Sequence, residues 1–88
     1  MTYQYAITCL TCRELAPLVS IELLDDPGQG VAWIRLQMGC GHAPSVPERH
    51  RTAIERIAIG TTRAFVLYDP DRQPTYMIRS EHPLGEPK

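Results

Sequence analysis

The sequence predicts a small α+β fold built from a β-hairpin, one amphipathic helix and a second, C-terminal hairpin. Three observations carry this reading. Two alternating apolar runs, "PLVSIELL" and "VAWIRLQM", flank the turn-forming stretch "DDPGQG", so residues 18–38 read as a hairpin. The segment "SVPERHRTAIERIAIG" sets Ile54, Ile57 and Ala58, with Ala53 beside them, on one stripe at helical spacing. Finally, "TRAFVLYD" and "PTYMIRS" are short β-rich runs separated by "PDRQ".

Each element has its own local grounds. "TYQYAIT" alternates Tyr3, Tyr5 and Ile7 against Gln4, Ala6 and Thr8, as a strand with one buried face does. In the first arm of the hairpin Val19, Ile21 and Leu23 share one face, with Ser20 and Glu22 on the other. In the second arm Ile34, Leu36 and Met38 oppose Trp33, Arg35 and Gln37. Ser45 followed by Glu48 is a capping-box pattern, Pro47 suits a first helical turn, and Gly60 suits a helix end. These signals predict a helix over 46–59. "HPLGEPK" holds two prolines, a glycine and charges, so residues 1–81 are expected to form one domain and 82–88 a flexible tail.

Composition narrows the class of protein. The chain has 88 residues, 43% of them apolar and 22% charged, which suits one globular domain with a modest core. At this size burial alone leaves only ~3–5 kcal/mol of stability, so a covalent or metal staple is expected to matter. No leader pattern and no long apolar span stands out, which points to a cytoplasmic protein with no membrane partner. The net charge of −1 argues against nonspecific binding of polyanions.

The cysteines carry the chemistry. Cys9 and Cys12 form a C-x-x-C, and Cys40 with His42 forms a tighter Cys-Gly-His, flanked by Gly39 and Gly41. Three cysteines cannot all pair within one chain, and a reducing compartment keeps them as thiols. The hairpin carries the chain away from Cys12 and returns Cys40 to its neighbourhood. Four sulfur and nitrogen donors brought together in this way suit a tetrahedral zinc ion. His50, on the predicted helix, competes with His42 for the fourth position; the short Cys-x-His spacing favours His42.

This outline resembles the zinc ribbon and treble-clef families of small zinc domains over residues 9–42. There a Cys-x2-Cys knuckle leads into a hairpin and a second ligand pair follows. The resemblance implies one structural Zn2+ held by Cys9, Cys12, Cys40 and His42. Cys-Gly-His departs from the commonest second pair, and the predicted helix starts after the second pair and does not contain it. Four protein ligands leave no position for substrate, so the site is read as structural and the protein as non-enzymatic.

Other motifs are weaker. A thioredoxin-like dithiol needs its first cysteine at a helix N-terminus, and Pro17 follows Cys12 too closely for a helix of useful length. Asp25 and Asp26, like Asp69 and Asp71, read as turn residues. Arg49, Arg56 and Arg63 recur at heptad spacing with Arg51 nearby, so the helix is able to present a basic ridge, although Arg51 with Glu55 also reads as a solvated pair. Trp33 beside Arg35 and Gln37 suits stacking on a base or anchoring a protein contact. The expectation is therefore an adaptor or regulatory module for a macromolecular partner. Protein ranks ahead of nucleic acid, with Trp33, Arg49, Arg51 and Arg56 as candidate contacts; a thiol oxidoreductase comes third.

Overall fold

A computed structural model describes residues 3–24, 32–68 and 73–84. Strands β1 (Ala6–Thr8), β2 (Leu15–Leu24), β3 (Trp33–Met38) and β4 (Ser45–Pro47) form one sheet in the order β1-β2-β3-β4. A 3-10 turn (Glu48–His50) leads into α1 (Arg51–Ile59), and β5 (Ala64–Tyr68) pairs with β6 (Pro74–Ile78). The ladders joining these strands are antiparallel. Both expected hairpins are present. The turn residues "DDPGQG", including Asp25 and Asp26, lie outside the described residues, as do Asp69 and Asp71. No helix among the described residues is long and apolar enough to cross a membrane.

The first hairpin corrects one detail of the expected pattern. The β2–β3 register passes from Leu18 opposite Met38 to Ser20 opposite Gln37, so Val19 is an extra residue in a β-bulge. The bulge shifts the inward parity. Ala16 and Leu18 are buried before it, while Ile21 opposite Leu36 and Leu23 opposite Ile34 take the core side after it. Val19 is left 63% exposed, and Leu23, where the hairpin runs beyond the core, is 64% exposed. Val19, Ile21 and Leu23 are therefore not one buried face.

The helix start also differs. Ser45–Pro47 is a strand paired to Trp33–Arg35, and no side chain caps the helix at either the 3-10 turn or α1. Val46 precedes a proline, which disfavours the helical region, and pairing opposite Ile34 buries it. The Glu48 N–H that a capping box would use donates to the Ala32 carbonyl at 2.9 Å. Ladder bonds and burial outweigh the local signal, and the α-helix begins at Arg51. Its far end follows the sequence: Ile54, Ile57 and Ala58 are buried, and Gly60 closes the helix at φ 96° with its N–H toward Arg56 and Ile57.

β1 is shorter than "TYQYAIT". Residues 4 and 5 leave the sheet and donate both N–H groups to the Ala58 carbonyl, at 2.8 and 2.9 Å. β6 lies against the other side of β1, through an Ile7–Arg79 bridge and bonds between Thr8 Oγ1 and the Ile78 backbone. The core therefore gathers Ile7, Ile34, Leu36, Ile54, Ile57 and Met77 from sheet, helix and second hairpin, and Cys9 joins it. Of the expected tail, Leu84 donates its N–H to the Gln4 carbonyl at 2.6 Å; 85–88 lie outside the described residues.

Candidate metal centre

Two chain reversals build the site. β1 ends at Thr8, and the chain turns at once: the Cys9 N–H donates to the Glu14 carbonyl and the Arg13 N–H to the Cys9 carbonyl, both at 2.8 Å. Arg13 sits at φ 67°, a left-handed conformation that lets the chain re-enter the sheet as β2. The second reversal follows β3. There the Met38 N–H donates to the His42 carbonyl at 3.0 Å and the Gly41 N–H to the Met38 carbonyl at 3.1 Å. Gly41 has φ 94°, as the sharp turn expected at Cys-Gly-His demands. The Gly39 N–H bonds the Pro17 carbonyl at 2.7 Å, and a Cβ at Gly39 would collide with the Pro17 ring, so this close approach ties the second reversal to β2.

The result is a four-donor cluster. One ligand atom from each of Cys9, Cys12, Cys40 and His42 lies within 4.8 Å of every other. Cys12 Sγ is 3.9 Å from Cys40 Sγ, and Cys40 Sγ is 3.3 Å from His42 Nδ1. All three cysteines are free thiols; Cys9 is buried and Cys40 exposed. Such a group can bind one metal ion. His50, the other histidine candidate, stands apart: its Nε2 is 2.7 Å from the Tyr68 carbonyl.

Electrostatics within the cluster favour one thiolate. Burial raises the Cys9 pKa, but the backbone N–H groups of Cys12 and Thr11 and the side chains of Cys40 and Cys12 hydrogen-bond to its sulfur and bring it to about 7. Cys40 goes the other way. The His42 backbone N–H lowers its pKa, yet desolvation, donation to Cys9 and Cys12, and the charge of Cys9 together raise it. Further thiolates crowded beside the first repel it, and a bound cation relieves that repulsion.

The basic positions are rearranged relative to expectation. Arg49 lies in the 3-10 turn and donates to the Tyr68 carbonyl at 2.8 Å, Arg51 approaches Glu55 at 3.7 Å, and Arg63 lies beyond the Gly60 cap. Arg49, Arg56 and Arg63 are thus not a ridge on one helix. Trp33 is half-buried, opposite Leu24 and Pro47 in the ladders, on the sheet face where Arg35 and Glu22 approach at 3.6 Å.

One surface was missed by sequence reasoning. The β5–β6 hairpin buries Leu67 and Met77 on one face, while the other face exposes Val66, Tyr68, Tyr76 and Ile78 by 40–63%. The signal was present, since "AFVLY" is apolar at both parities and not alternating. Fold and cluster together define a small α+β domain with a metal-competent Cys3His site. Comparison with family models, curated proteins and solved structures finds no match to this chain.

Proposed function

We propose that Cys9, Cys12, Cys40 and His42 hold one structural Zn2+ ion, and that the domain it stabilises is a non-enzymatic module presenting a surface to a protein partner. The observation that carries the reading is the convergence of these four donors to within 4.8 Å from two separate chain reversals. A tetrahedral zinc ion with bonds of ~2.3 Å to sulfur and ~2.0–2.1 Å to nitrogen has S–S edges of about 3.8 Å and S–N edges of about 3.6 Å. The separations of 3.9 and 3.3 Å lie close to those values. Backbone N–H groups aimed at the sulfurs of Cys9 and Cys40 would stabilise bound thiolates from outside the shell.

Four protein donors complete the shell, so zinc here contributes folding energy and leaves no open position for water or substrate. A protein partner is favoured by the uncharged, apolar face of the second hairpin and by the net charge of −1. Arg49 and Arg51 already engage groups of the protein itself.

Elemental analysis of purified protein tests the metal. About one zinc per chain is expected, with a marked loss in Cys40→Ser and His42→Ala; a metal-free, fully folded wild type overturns the reading. Titration with oligonucleotides at low salt tests the partner class. Binding that falls steeply with salt, with a shallower slope in Arg56→Ala, would move the assignment to nucleic acid.

A further inference from the structure

The three sulfurs of the cluster differ in how solvent reaches them. Cys9 is fully buried within the core, Cys12 is half-buried and Cys40 is exposed. Oxidation of cysteine follows thiolate character and exposure, so an oxidant arriving from solvent meets Cys40 first. That sulfur has a partner close by, since Cys12 Sγ lies 3.9 Å away, against the ~2.05 Å of a disulfide. A Cβ at the neighbouring Gly41 would meet nothing within 4 Å, so the turn that carries Cys40 has open space in which to adjust. Cys9 is held more firmly: the backbone N–H groups of Cys12 and Thr11 bond its sulfur, and the core packs around it.

We propose that the cluster is a redox switch for its metal, in which hydrogen peroxide joins Cys12 to Cys40 as a disulfide and the domain gives up zinc while keeping its fold. The proposal rests on the zinc reading above. The Cys40 thiolate attacks one oxygen of the peroxide; the O–O bond breaks, hydroxide leaves and a sulfenic acid forms. The Cys12 thiolate attacks that sulfur, the S–O bond breaks and a second hydroxide leaves. The two sulfurs together lose two electrons, the peroxide gains them, and two protons convert both hydroxides to water. Only Cys9 and His42 then remain as donors, where structural zinc takes four. The new bond lies where it replaces the metal. Cys12 belongs to the reversal after β1 and Cys40 to the reversal after β3, so their disulfide closes the hairpin across a separation of 28 residues. A bond between Cys9 and Cys12 would stay inside one reversal, and so short a loop restricts the unfolded chain far less.

Stepwise addition of hydrogen peroxide to the zinc-loaded full chain tests this, with zinc content measured before and a metal-sensitive dye following its release. Trypsin leaves Cys9 and Cys12 on the peptide 1–13 and Cys40 on 36–49, so the expected bond joins the two peptides, and mass-spectrometric fragmentation assigns it to Cys12. Zinc should fall from about one per chain to near none in step with that link, and dithiothreitol with added zinc should restore the starting state. The oxidised chain should remain folded by circular dichroism and show a higher urea midpoint than reduced chain stripped of zinc by a chelator. A chain that holds no zinc before peroxide overturns the zinc reading and this proposal with it. Zinc present at the start but retained after the link forms, release without a link, a bond within the peptide 1–13, or an oxidised chain no more stable than the chelated one overturns the switch alone.

Discussion

The sulfur of Cys12 lies 3.9 Å from that of Cys40, although 28 residues separate them in the chain. A hairpin, not a local motif, makes that approach. Anything that binds both sulfurs therefore binds the folded hairpin and not the unfolded chain.

Metal removal should cost stability for this reason. A ligand at a hundred times its dissociation constant adds ~2.7 kcal/mol to the folded state. Chelation is expected to lower the unfolding free energy by at least that order, and the urea midpoint with it, with recovery on adding zinc. Urea titrations with and without chelator make the measurement, and identical midpoints count against the site.

Acidity should act on the metal-free protein through Cys9. Its folded pKa, about 7, is depressed from the ordinary 9.0, so the thiolate's contribution is complete above about pH 9 and is lost as pH falls through 7. Cys40 is shifted upward, so its own effect falls above that window. Stability should rise by on the order of 2 kcal/mol between pH 7 and 9. In Cys9→Ser both this slope and the earliest step of thiolate absorbance should vanish; a slope that persists assigns it elsewhere.

The two histidines should separate cleanly. His42 Nδ1 lies in the cluster, whereas His50 Nε2 approaches the Tyr68 carbonyl. His50→Ala should keep full metal content and lose about 1 kcal/mol of stability. His42→Ala should lose or weaken metal binding. Zinc content measured beside urea denaturation distinguishes them, and metal loss in His50→Ala would contradict the assignment.

Gly60→Ala tests the helix end. The position has φ 96°, and a Cβ there would collide with the Tyr5 ring, which also lies 4.2 Å beneath the Arg79 guanidinium. Left-handed strain alone costs ~1–2 kcal/mol, and the collision adds to it. Denaturant unfolding should show a loss of at least about 2 kcal/mol, and a neutral substitution would mean that the N-terminal segment does not lie on the helix end.

Much of this protein is legible in local pattern. Turn formers between alternating runs, the Ile54–Ile57–Ala58 stripe, Gly60 as a helix end, and the two short Cys motifs each act over a few residues. For that reason the hairpins, the helix face and the four candidate ligands could be read without coordinates. What depended on distant partners could not. Ser45–Pro47 became a strand because Ile34 and Ala32 offered Val46 burial and Glu48 a carbonyl, which a capping box could not match. The bulge at Val19 and the capture of residues 4 and 5 by Ala58 likewise arise from pairing across the fold. Tertiary structure sets His50 apart, against the Tyr68 carbonyl, and gathers His42 with the cysteines as its spacing had favoured; it alone decided that an apolar face of the second hairpin meets solvent. Burial and hydrogen bonding at those places are settled by groups far apart in the chain, and local spacing carries no record of them.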